Sequence, residues 1–142
     1  MSTETNKAII ARMVEQVWNE GRTDLVVEFF AEDYVQHIAG QPAQAGYELV
    51  QQGAASSRAA YPDFQLSIDD QVAEGDRVAA RWTMTGTHEG EFLGIPPTGK
   101  QVSHSGTTFY RLQNGRIAEV WFLADVMGLM QQLGVIPAPE GA

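Results

Sequence analysis

Apolar residues recur at helical spacing near the start of the chain. Ile9, Ile10, Met13, Val14, Val17 and Trp18 fall on one side of a helix expected over residues 5–20. Thr3 or Thr5 is the expected cap, and Gly21 follows the end. Thr23 reads as the N-cap of a short second helix, with Asp24 in its first turn and Val26, Phe29 and Phe30 as its apolar face. A short strand is expected from Tyr34 to Ile38, and a third helix, rich in Gln and Ala, from Tyr47 to Ala60. Tyr61-Pro62-Asp63 ends that helix, because the residue before a proline is pushed out of helical geometry.

Beyond Pro62 the period falls to two. Phe64, Leu66 and Ile68 alternate with polar residues, which marks a strand. The turn Glu74-Gly75-Asp76 leads into a long strand from Arg77 to His88, with Val78, Ala80, Trp82, Met84 and His88 on one face. Residues 89–100 form a loop rich in Gly and Pro, and strands follow at 101–113 and 116–125. Asn114-Gly115 joins them, a strong hairpin signal. A last helix runs from Val126 to Leu133 and stops at Gly134, and residues 137–142 read as a loose tail. Helices first and strands second predict one α+β domain, with helices on one face of a curved, mostly antiparallel sheet. Such a cone encloses a cavity suited to a small ligand.

Charge and composition narrow the partners. The net charge is −9, which repels phosphate backbones, so nucleic acid is not an expected partner. No stretch approaches the roughly 20 apolar residues that cross a bilayer, and the polar start lacks the apolar core of a signal peptide, so no membrane contact is expected. The chain has no cysteine, which excludes disulfides and thiol nucleophiles; a cytoplasmic location is the default expectation. Dinucleotide, Walker, HExxH and GxSxG motifs are all missing. His37, His88 and His104 lie far apart without metal-ligand spacing, so neither metal nor cofactor is expected. Chemistry then falls to carboxylate, imidazole, phenol or guanidinium groups.

The hairpin turns this inventory into a site. With a two-residue turn, Gln113 faces Arg116, Leu112 faces Ile117, Tyr110 faces Glu119, Thr108 faces Trp121 and His104 faces Asp125. Opposed residues hold their Cβ atoms about 5 Å apart. His104 and Asp125 are therefore expected as a hydrogen-bonded dyad beside Trp121, Thr108 and Tyr110. Apolar surroundings would raise the basicity of the carboxylate. Asp125 also reads as a cap for the helix that follows it, and a bulge in the hairpin would undo the pairing. His88 reads more readily as a core histidine bonded to backbone than as a catalytic one. Arg111 falls on the opposite face, as a structural or interface ion pair. Trp18, Trp82 and Trp121 suit a core or a pocket wall.

The segment from Gly86 through Thr87-His88-Glu89-Gly90-Glu91-Phe92-Leu93-Gly94-Ile95-Pro96-Pro97-Thr98-Gly99 to Lys100 resembles the signature of SnoaL-like polyketide cyclases, often called ester cyclases. Trp18-Asn19-Glu20-Gly21, Asp33-Tyr34 with His37, Tyr61-Pro62-Asp63, Gly75-Asp76, Tyr110-Arg111, Trp121 with Asp125 and Gln132-Leu133-Gly134 extend the likeness over nearly the whole chain. The resemblance implies the cone fold of nuclear transport factor 2 and ketosteroid isomerase, and a homodimer or homotetramer. It implies an intramolecular aldol ring closure on a small hydrophobic carbonyl compound, with no metal or cofactor. One aspartate near the end of the last strand acts as general acid/base in such cyclases, and the matching position is Asp125. His104 is expected to orient it. Tyr34, His37, Trp82, His88, Phe92 and Trp121 are the expected substrate-binding side chains, with His37 or His88 bonding the enolate oxygen. A polyketide hydroxylase and a binding-only dimeric module are the alternatives.

Overall fold

The computed structural model describes residues 2–137; the tail expected at 137–142 lies outside them apart from Pro137. Six strands form one sheet: β1 Phe30–Ile38, β2 Gln44–Ala45, β3 Gln65–Glu74, β4 Arg77–Thr87, β5 Gln101–Gln113 and β6 Arg116–Ala124. Their order is β2-β1-β6-β5-β4-β3. Neighbours run antiparallel except β1 and β6, which are parallel, so the sheet is mixed. Among the described residues, four α-helices accompany it: α1 Thr3–Met13, α2 Val26–Phe29, α3 Glu48–Ala60 and α4 Val126–Gln132. The expected α+β class, with helices packed on a largely antiparallel sheet, is what the chain adopts.

The N-terminal apolar stripe does what its spacing predicts. Ile9, Ile10, Met13, Val14 and Val17 are buried and meet Val78, Ala80, Tyr110, Ile117 and Val120 from the sheet. Burial of this stripe drives α1 onto one sheet face. Its cap is Ser2, whose hydroxyl accepts from the Thr5 N–H at 3.0 Å, and not Thr3 or Thr5. The last turns of the expected helix are π-helical over Val14–Asn19. Tertiary partners explain the widening. Arg58 donates to the carbonyls of Trp18 and Asn19, and the Asn19 side chain bonds both backbone groups of Leu66. These bonds replace the helix's own at its end.

Thr23 caps nothing; Thr23–Leu25 is a single 3₁₀ turn that leads into α2. Phe30, expected on the second helix, opens β1 instead and is still buried. Short β2 pairs with β1 at the sheet edge and went unforeseen, as two residues carry no periodic signal.

The hairpin turn forms as expected, with Asn114 at φ 53° and Gly115 at φ 78°. The count beyond it fails. Leu112 pairs with Ile117 and Gln113 with Arg116, but Arg111 then pairs with Glu119, leaving Ala118 as a bulge. Ile117 and Ala118 are consecutive and both buried, which strict alternation forbids and a bulge permits. Every later pair is shifted by one: Tyr110 faces Val120 and Thr108 faces Phe122. The bulge thereby sends Glu119 and Trp121 to the outer face of the sheet.

Candidate active site: the cavity between helices and sheet

Between the helices and the inner sheet face lies a cavity of about 280 Å³. Alternation along each strand selects its wall. β1 supplies Tyr34, Gln36 and Ile38, β4 supplies Ala80, Trp82 and Met84, and β5 supplies His104, Thr108 and Tyr110. Helix α3 adds Gly53 and Ser57, and Tyr61 follows at its end. Phe92, from the loop after β4, closes one side. The wall is mainly apolar with a few polar groups, which is the composition of a small-molecule site.

Of the expected substrate-binding residues, Tyr34, Trp82 and Phe92 line this cavity. The other three do not. His37 and Trp121 point to the outer face, stacked on each other with ring centroids 5.3 Å apart. His37 Nε2 lies 2.6 Å from the Glu119 carboxylate, and Arg111 Nε donates to the same group at 3.1 Å. The His37 bond, with Arg111, holds the Glu119 carboxyl below the usual carboxylate range. Arg111 is thus a member of an outer ion-pair cluster, on the side that was expected.

His88 is fully buried and anchors the signature loop. Its Nδ1 accepts from the Thr98 N–H at 3.2 Å and sits 3.0 Å from the Thr98 hydroxyl. Its backbone bonds Lys100 and Gly99. This is the core histidine bonded to backbone that the sequence allowed; it is not among the residues lining the cavity, and its Nε2 is buried without a partner.

His104 and Asp125 are close but not a hydrogen-bonded dyad. With the bulge in place they are no longer opposed. Asp125 is exposed and caps α4, its Oδ1 accepting from the Gly128 N–H at 2.9 Å. His104 lines the cavity with Nε2 buried and unpartnered. Burial lowers the pKa of His104, and the Asp125 charge pulls it partly back up. The imidazole is therefore neutral at physiological pH, and Nε2 is a base in the tautomer that carries its proton on Nδ1. Its ring stands edge-on to Trp82 at 5.6 Å. Trp82 in turn is fixed by its Nε1–H, which donates to the Thr108 hydroxyl at 3.0 Å.

The remaining polar wall is phenolic. Burial, with Tyr110 nearby, raises the pKa of Tyr34, whose hydroxyl donates to Gln36 Oε1 at 3.1 Å. Tyr110 is pushed up to about 12 by burial. Tyr61 is also raised by burial, and its hydroxyl has no partner. All three stay protonated across the physiological range, as donors. Sequence reading missed Tyr61 because its place before Pro62 marked it as a helix terminator. Among the described residues, no group of three or more His, Cys, Asp or Glu side chains is placed to hold a metal ion. No helix among them is long and apolar enough to cross a membrane.

The chain is similar to known proteins in sequence and fold. The family model described as SnoaL-like polyketide cyclase matches residues 8–133. An aklanonic acid methyl ester cyclase of Streptomyces peucetius is 30% identical, over 99% of this chain and 98% of its own. A nogalonic acid methyl ester cyclase of Streptomyces nogalater is 28% identical over 82% of this chain and 89% of its own. Among solved structures, a candidate hydroxylase from Streptomyces galilaeus superposes with a TM-score of 0.87 at 31% identity, covering 98% of this chain and 87% of that one.

Proposed function

Because the chain belongs to the SnoaL-like polyketide cyclase family, we propose that it closes a ring in a small hydrophobic polyketide ester or ketone by an intramolecular aldol step. No cofactor takes part in this reading, and proton transfer runs through His104 and Asp125. One observation carries it: the unpartnered Nε2 of His104 in the cavity wall, on an imidazole that burial keeps neutral, with the Asp125 charge offsetting part of the drop in basicity. The resemblance assigns acid/base work to Asp125; His104, which lines the cavity and feels the Asp125 charge, supports passing that work to the imidazole.

In this mechanism Nε2 takes a proton from a carbon next to a carbonyl. The C–H electron pair becomes an enolate, which bonds to a second carbonyl carbon of the same molecule. The imidazolium then returns its proton to the new alkoxide. Asp125 stabilises the imidazolium in between, and the cavity wall holds the folded substrate with its carbons in reach. Replacing His104 by Ala is expected to lower kcat by about 10²–10⁴-fold. Asp125→Asn lowers it less, and both variants keep the wild-type circular dichroism spectrum. Undiminished turnover by His104→Ala would contradict proton transfer through this ring.

A hydroxylase is the second reading, favoured by the likeness to the candidate hydroxylase. It consumes oxygen during turnover, which an aldol closure does not. We also propose that the chain self-associates as a homodimer through its outer sheet face. Val72, Ala79, Phe109, Trp121 and His37 form one lateral row across β3, β4, β5, β6 and β1. Phe109 is 51% exposed and Val72 63%, a large apolar presence for a surface.

A further inference from the structure

Tyr61 carries a hydroxyl that its surroundings do not explain. The residue is fully buried, and its hydroxyl has no partner although the ring lines the cavity. Its backbone is satisfied: the N–H bonds the Ser57 carbonyl at 2.8 Å, and its own carbonyl accepts from Phe64 at 2.9 Å. The ring has little room to move. It sits between the rings of His88, at 5.6 Å, and Phe92, at 5.4 Å. Below it is Gly86, where a Cβ would come within 2.9 Å of the Tyr61 Cβ. A phenylalanine would fill the same space with no polar atom to bury. An unpaired buried donor held in one place is what a binding site offers a ligand that supplies the acceptor.

The position on the cavity wall supports this. Gly86 lies one inward step along β4 from Met84, the residue opposite His104. The wall therefore offers an acceptor, the neutral Nε2 of His104, and a donor, the Tyr61 phenol, from the two layers that enclose the space. A base cannot hold a carbonyl oxygen; a phenol can.

We propose that Tyr61 is a specificity-determining residue that donates a hydrogen bond to a carbonyl or enolate oxygen of the bound molecule, and so selects oxygenated polycyclic ligands over hydrocarbons of the same outline. This deepens the cyclase reading and rests on the cavity being its substrate site. The hydroxyl fixes the face and end of the substrate that carry oxygen, while Trp82 and Phe92 accept its apolar body.

The test is equilibrium binding of anthraquinone and anthracene, two planar tricyclic probes that differ in their carbonyl oxygens, to the full chain and to Tyr61→Phe. The wild type is expected to prefer anthraquinone by about tenfold or more, the size of one buried hydrogen bond. Tyr61→Phe should bind anthracene as the wild type does and lose the preference to within about twofold. A variant that keeps the full preference overturns the role of Tyr61, as does a wild type that shows none. Failure of both probes to bind the wild type overturns it together with the cavity as a ligand site. None of these outcomes depends on turnover, so a failure of the cyclase reading shows separately, in the product assay.

Discussion

A histidine buried against tryptophan loses the solvation that an imidazolium needs, and for His104 this outweighs the attraction of Asp125. The sign sets the pH dependence of the proposed reaction. The base form is the neutral ring, so the rate rises with pH through the pKa of His104. Burial puts that rise below the ordinary imidazole value of about 6.5. Asp125→Asn removes the one influence that raises the pKa. The acid limb of the rate profile should therefore move to lower pH, and the plateau should fall because a weaker base transfers the proton more slowly. A profile of kcat/KM against pH for the two proteins reads both effects. An acid limb that stays in place, or moves up, would contradict the electrostatic link. The cap that Asp125 makes on α4 is compatible with this role, since a charge acts on the imidazole without touching it.

The strands show where periodicity stops informing. The Asn114-Gly115 turn and the ends of β5 and β6 were legible because their signals are local. Ala118 was not, since a small apolar residue in an apolar strand looks alike in register or in a bulge. That one residue decides which face Glu119 and Trp121 occupy, so a single missed bulge moved Trp121, an expected substrate-binding residue, to the exterior, and Glu119 with it. His37 faces outward for a separate reason: alternation along β1 turns Tyr34, Gln36 and Ile38 into the cavity and His37 away from it, where it stacks on Trp121. On the exterior these residues belong to the face proposed for self-association. The row from Val72 through Phe109 and Trp121 is flanked by charge: Arg77, Arg111 and Glu119 on one side, and Asp70 and Arg81 on the other. Arg77 also stands over the Trp121 ring, 5.0 Å from its centroid. A charge placed in the apolar row should prevent self-association without reaching the cavity. Phe109→Glu is expected to sediment as a monomer where the parent chain sediments as a dimer, with its melting curve still cooperative. A parent chain that is itself monomeric would remove this face from the account.

At the scale of the whole molecule, the class of fold was legible from the order of periods, 3.6 first and then two. Its closure was not. The parallel pairing of β1 with β6 brings residues 30–38 beside residues 117–122, a contact no local pattern encodes. That pairing completes the cavity wall with Tyr34, Gln36 and Ile38. The site was half legible for the same reason. Tyr34, Trp82, Phe92 and His104 could be placed from alternation and resemblance, whereas the orphaned hydroxyl of Tyr61 exists only once α3 is laid over β4. In the proposed reaction this cavity holds a carbonyl substrate with its acidic carbon against His104. The most direct measurement is a crystal structure of the chain with a bound tricyclic polyketide ester. The ester is expected inside the cavity, its acidic carbon about 3–3.5 Å from His104 Nε2, the separation of a near-attack arrangement. An ester bound elsewhere, or one whose acidic carbon lies beyond reach of His104 while turnover proceeds in the crystal, would contradict it.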